Sequence, residues 1–179
     1  MGKLNNTKEA QLEQNLIDLL CARHGQWTFR PDLKTEEDLW NNLRNIIEIR
    51  NKSELNDNAL TDSEFERIRS EILANTKTPF EAAKWLRGEK GKCSIVLERD
   101  NGLGRIELVI YSSSEKNGGF SSYEVVHQIA KSKSNLEERN RRFDVTLLIN
   151  GLPIIQIELK TAIAKDGVKQ AYYQIEKYI

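Results

Sequence analysis

Apolar residues recur at helical spacing through the first half of the chain and switch to period two in the second half. Leu12, Leu16, Leu19 and Leu20 predict a helix over Thr7–Cys21, with Thr7 as its cap. Leu39, Leu43, Ile46 and Ile47 form one stripe of a second helix, Glu36–Ile49. Thr61-Asp-Ser-Glu64 has the spacing of a capping box and opens a third helix through Phe65, Ile68 and Ile72. Thr78-Pro79 starts a short fourth helix that ends near Gly88. Two alternating runs, Cys93–Glu98 and Arg105–Tyr111, then flank Asp100-Asn-Gly-Leu-Gly104 and predict a hairpin. Residues 112–122 read as a polar loop and Tyr123–Ala130 as a strand. Residues 131–142 are charged and lack apolar periodicity, as in a linker or a short helix. Val168, Ala171, Tyr172, Ile175 and Tyr178 mark a final helix. There is no internal repeat and no low-complexity segment.

Residues 142–160 carry the chemistry. They read as two apolar strands joined at Asn150-Gly151, the first beginning at Asp144 and the second ending at Glu158 and Lys160. Charge at the ends of buried strands is costly. Side chains alternate with period two, so Asp144 and Thr146 share one face, as do Gln156, Glu158 and Lys160. A plain two-residue turn pairs Ile149 with Leu152 and Asp144 with Ile157, which puts the carboxylates on opposite faces. A shift of one residue repairs this, and a three-residue loop or a bulge supplies it. Asp144, Thr146, Gln156, Glu158 and Lys160 then line one face, and the other is wholly apolar.

Two carboxylates and an amine on one face suit a magnesium-dependent phosphodiesterase. Mg2+ takes oxygen ligands, commonly one or two carboxylates with phosphate and water. Asp144 and Glu158 are the candidate metal ligands. Lys160 is placed to orient the attacking water and offset phosphate charge, with Gln156 as a hydrogen-bonding neighbour. An isolated Glu-x-Lys is usually a solvent-facing ion pair. The isoleucine run before it, the matching Asp144 and the register turn the reading toward chemistry.

Asp, a hairpin and Glu-x-Lys together form the signature of the PD-(D/E)xK nuclease superfamily. The run Arg142-Phe-Asp, an apolar strand, Asn150-Gly-Leu-Pro153, a second apolar strand and Glu158-Leu-Lys160 resembles the N-terminal nuclease domain of the restriction (motor) subunit of type I restriction endonucleases. Phe143 stands where the superfamily has proline. Gln174 and Tyr178 match that superfamily's Gln-x-x-x-Tyr element, and the segment around Glu13 resembles the opening helix whose acid completes the site. The resemblance is specific over 141–178 and weak over 25–120. It implies an α/β fold, a mixed central β-sheet flanked by helices, with a restriction-endonuclease-like core and an N-terminal helical part. It also implies a type I site-specific deoxyribonuclease that cleaves double-stranded DNA with Mg2+, beside methyltransferase and specificity subunits in the cytoplasm. ATP would be used only by a motor region, since this chain has no phosphate-binding Gly-x-x-x-x-Gly-Lys-Ser/Thr loop. The expectation is a single endonuclease domain over residues 1–179, the N-terminal fragment of a larger subunit.

Composition narrows the picture further. Lys and Arg number 27, Asp and Glu 27, so the formal net charge is zero. A protein that grips DNA alone usually carries a basic excess, which places much of the DNA grip elsewhere. Cys21 and Cys93 form no metal-ligand pattern, and no apolar run approaches a membrane span. Arg139, Arg141 and Arg142 are either phosphate contacts or solvated; His24 and His127 read as packing or surface, and Trp27, Trp40 and Trp85 as core. Two other classes remain open: a repair or recombination nuclease of the same superfamily, and a non-catalytic docking module of the same fold.

Overall fold

The computed structural model describes residues 2–22, 25–113, 121–130, 142–160 and 166–176. The elements in order are α1 (Gly2–Leu20), β1 (Thr28–Phe29), α2 (Glu36–Arg50), α3 (Asp62–Asn75), α4 (Pro79–Arg87), β2 (Lys92–Glu98), β3 (Arg105–Ser112), β4 (Tyr123–Ala130), β5 (Arg142–Ile149), β6 (Leu152–Ile157) and α5 (Gly167–Glu176). The chain divides into two compact units, one of residues 1–40 with 122–179 and one of residues 41–121, the division falling within α2.

In the second unit, Thr61 Oγ1 accepts from the Glu64 N–H and Glu64 Oε2 accepts from the Thr61 N–H, so the capping box opens α3 as its spacing predicts. Glu64 is fully buried and pairs with Arg99 at 2.7 Å. β2 and β3 form the expected antiparallel hairpin.

The first unit holds a four-stranded sheet, order β1-β4-β5-β6. β1 runs parallel to β4 and the other pairings are antiparallel, so the sheet is mixed and the fold is α/β. β1 is only two residues long and has no periodicity to betray it. On one face, Val125, Val145 and Leu147 pack with Ile17 of α1. On the other, Val126, Ile129 and Leu148 pack with Leu33 and Leu39. α1 starts five residues before its expected cap, so Thr7 lies inside the helix. Its buried face also differs from the expected leucine stripe. Ile17 and Glu13 are buried, whereas Leu12 and Leu19 are exposed. The three tryptophans are half-buried at the margins of the core rather than inside it, and Trp27 meets Tyr123 edge-on at 5.5 Å.

The β5–β6 hairpin decides where the charged residues go. Asn150 and Gly151 have φ of 53° and 79°, the left-handed pair of a two-residue turn whose twist suits a hairpin. Asn150 is anchored from both sides, donating its N–H to the Ser122 carbonyl and accepting the Ser122 N–H on Oδ1. Ile149 pairs with Leu152 and Leu148 with Pro153. The register then shifts, so that Leu147 pairs with Ile155, Thr146 with Gln156 and Val145 with Ile157. Ile154 is the extra residue of a bulge on β6. The required one-residue shift is therefore made by a bulge beyond a plain two-residue turn, and Glu158 comes opposite Asp144. The apolar face is less closed than expected, since Ile155 is 46% exposed while Ile157 and Leu159 pack against the core.

Inserting one alanine between Ile155 and Gln156 should slip the rest of the ladder by one residue, pair Asp144 with Ile157 and turn Glu158 and Lys160 toward the core. Burying those charges and exposing Ile157 and Leu159 should cost about 3 kcal/mol or more. Denaturant unfolding of the insertion variant checks this, and wild-type stability would show that the register does not keep the charged and apolar faces apart.

Candidate functional site

The site is built from four segments of the first unit: α1, the middle of β4, the start of β5 and the segment just after β6. Asp144 stands at the start of β5, and its Oδ2 accepts the Leu159 N–H at 2.7 Å. That bond ties the carboxylate to the backbone between Glu158 and Lys160. Glu158 Oε1 accepts from the Gln156 side-chain amide at 3.0 Å. Its other oxygen, Oε2, is buried and has no partner. Burial first, then the negative charge of Asp144, push the Glu158 carboxyl up to about 7. The approach of the two carboxyls becomes a hydrogen bond only if one of them carries the proton. Lys160 follows on the same segment, and its positive charge lowers the proton affinity of both Glu158 and Glu13.

Glu13 reaches this cluster from α1. It is 7% exposed, a rare position for a helix carboxylate. Both of its oxygens accept from the Gln128 amide, at 2.9 and 2.8 Å. Burial raises its proton affinity; the Gln128 bond opposes that rise and the charge of Asp144 adds to it. His127 Nδ1 lies 3.8 Å from Glu13 Oε2. Burial and the charge of Lys34 push this imidazole below its ordinary 6.5, so at neutral pH it is uncharged and the contact is not an ion pair.

The structure thus gathers Glu13, Asp144, Glu158 and Lys160 from three elements. Gln174 lies on α5, with its side chain outside the described residues, as is the whole of Tyr178. The 131–141 segment, with Arg139 and Arg141, also lies outside them, as do His24 and the Arg142 side chain. Among the described residues, no group of three or more His, Cys, Asp or Glu side chains stands at metal-ligand spacing. The carboxylate pair Asp144 and Glu158 is what remains for a cation, and its oxygens are the hard donors Mg2+ takes.

Gln128 and His127 are the parts that pattern reading missed. No signal in the sequence marks them, since apolar residues at 125, 126 and 129 also fit a plainly alternating strand buried on both faces.

A family model for the N terminus of the type I restriction enzyme R protein matches residues 6–179. The chain belongs to this family. It is 31% identical over 146 residues to the type I restriction enzyme SsaAORF53P endonuclease subunit of Staphylococcus saprophyticus, covering 82% of this chain and 14% of that relative. It is 30% identical over 149 residues to the SauCOLORF180P endonuclease subunit of Staphylococcus aureus strain COL, 83% and 14% respectively. A match to the EcoprrI endonuclease subunit of Escherichia coli is 39% identical over 77 residues, 42% of this chain and 22% of the relative. The chain therefore spans about a seventh of the length of the staphylococcal relatives. No solved structure matches it. Among the described residues no helix is long and apolar enough to cross a membrane.

The pH dependence of stability follows from Glu158. Its folded value of about 7 lies above the ordinary 4.5, so the native state holds this proton more tightly than the unfolded chain does. The stabilisation is fully present below pH 4.5 and is lost as pH rises through 7. Without divalent cations, the thermal midpoint should therefore fall across that window. Glu158→Gln should flatten the fall, and an unchanged slope in that variant would show that another group is responsible.

Proposed function

We propose that this chain is the Mg2+-dependent endonuclease domain of a type I restriction complex, hydrolysing phosphodiester bonds of double-stranded DNA on a PD-(D/E)xK fold. One observation carries the reading. Glu158 Oε2 is a buried oxygen without a partner, on a residue brought opposite Asp144 by the Ile154 bulge. Such an oxygen beside a second carboxylate is costly unless a proton or a cation completes it, and a cation leaves both acids ionised at neutral pH.

Asp144 and Glu158 would hold the ion. Bound Mg2+ supplies Lewis acidity toward the phosphate and makes an attacking water more acidic. Gln156 holds Oε1 of Glu158 and leaves Oε2 toward the site. The Leu159 N–H fixes the rotamer of Asp144. Lys160 orients the attacking water and offsets the charge that develops on the phosphate. Glu13 completes the acidic set from α1, and Gln174 and Tyr178 are the further candidate site or DNA contacts. The formal charge of zero gives the chain little hold on a phosphate backbone. DNA grip, sequence choice and ATP-driven movement then fall to the rest of the subunit and to methyltransferase and specificity subunits, in the cytoplasm.

Metal binding is the first test. Millimolar Mg2+ should raise the thermal midpoint of the wild-type chain by mass action and hardly move that of Asp144→Asn. Equal shifts would place the ion elsewhere.

The second test separates chemistry from assembly. In the complete subunit and its complex, Asp144→Ala and Glu158→Ala should abolish cleavage. Lys160→Ala should slow it by about two to three orders of magnitude, the usual loss for one such electrostatic contact. ATP hydrolysis should persist in all three. Wild-type cleavage by Glu158→Ala and Lys160→Ala would overturn the nuclease reading in favour of a docking module.

A further inference from the structure

β4 breaks its own alternation at one residue. Gln128 has φ of 55°, a left-handed conformation that few non-glycine residues adopt and that is rare inside a strand. The effect is visible in the packing. Val125 points to the α1 face of the sheet, while Val126 and Ile129 both point to the opposite face. Strict alternation would have sent Ile129 to the face of Val125. The reversal lets two consecutive residues, His127 and Gln128, both reach Glu13. Gln128 also sits between the His127–Val145 and Ile129–Phe143 pairs, directly across the ladder from Asp144.

We propose that Gln128 is a positioning residue of the nuclease site, whose left-handed backbone turns its amide onto both oxygens of Glu13 and holds that carboxylate beside Asp144. This rests on the reading of Glu13, Asp144 and Glu158 as one acidic site. A buried helix glutamate without a donor would rotate toward solvent or take up a proton. The amide prevents both without bringing a positive charge that would neutralise the site. A lysine or arginine in its place would form an ion pair with Glu13 and cancel the negative field that a cation needs. The backbone conformation argues for a function in itself, because strain at a non-glycine residue persists where the surroundings impose it.

The test uses Gln128→Gly. Glycine is the residue best suited to that φ, so the variant relieves the strain and removes only the amide. Relief of backbone strain offsets the cost of leaving Glu13 without its donor, so the metal-free thermal midpoint of the chain should shift little. The Mg2+ concentration for half-maximal thermal stabilisation should rise about ten- to a hundred-fold, the usual penalty for losing a group that orients a site carboxylate. Cleavage in the complete complex should fall by a similar factor. Adding Gln128→Gly to Glu13→Gln should cause no further loss, because the amide acts only through Glu13. The proposal is overturned if the glycine variant responds to Mg2+ like wild type or multiplies its penalty with that of Glu13→Gln. Asp144→Asn run alongside separates the two failures. If it keeps the Mg2+ response, the acidic site itself is misread. If it loses the response while Gln128→Gly keeps it, only the role of Gln128 falls.

Discussion

Asp144 and Glu158 are neighbours because a bulge at Ile154 absorbs the one residue by which β6 exceeds β5 between the turn and the site. A strand has two faces, and an odd shift exchanges them completely. With the bulge, Val145, Leu147, Ile157 and Leu159 meet Ile17 in the core, and the acids lie together. Without it, either the core or the acid pair would be lost. The Asn150-Gly151 turn adopts the twist a hairpin prefers, and Ser122 holds it on both sides. The bulge therefore has a rigid end to work against.

Gathering three carboxylates in a half-buried place creates a problem that neutral donors address. Gln156, the Leu159 N–H and the Gln128 amide each serve one acid. None brings a charge. Among the described residues, Lys160 is the only cation whose field reaches both Glu13 and Glu158 among their principal influences. The second unit resolves a similar conflict in the opposite way. There the buried Glu64 meets Arg99 directly and also accepts from two backbone N–H groups, so its carboxyl stays below the ordinary range. One buried acid is neutralised and structural. The others are met by neutral donors, and Glu158 is left with an oxygen that has no hydrogen-bond partner.

Much of this is legible in the amino-acid sequence. The capping box at Thr61, the hairpin strands and the need for a one-residue shift all follow from local chemistry and period two. Asp144, Glu158 and Lys160 are recognisable because charge so rarely ends an isoleucine run. The illegible parts are those that tertiary contacts decide. Leu12 and Leu19 have the spacing of core residues, yet Ile17 with Glu13 takes their place, because the face α1 presents is set by the sheet beneath it. β1 is too short to leave a pattern. Gln128 adopts a conformation its residue type disfavours, so no propensity points to it. The weight of Glu13 likewise comes only from its burial and its partners.

Glu13 and Gln128 meet across 115 residues of chain, whereas the two strands that pair Asp144 with Glu158 are joined by a turn of two. The entropic cost of closing a loop grows with its length, and contacts distant in sequence form more slowly than local ones. The acid pair can thus assemble during hairpin formation, but the third carboxylate arrives only when the first helix returns to a sheet completed much later in the chain. In a growing polypeptide, α1 must wait until nearly the whole of this sequence has been synthesised. Its docking is the step that converts a folded hairpin into a finished site.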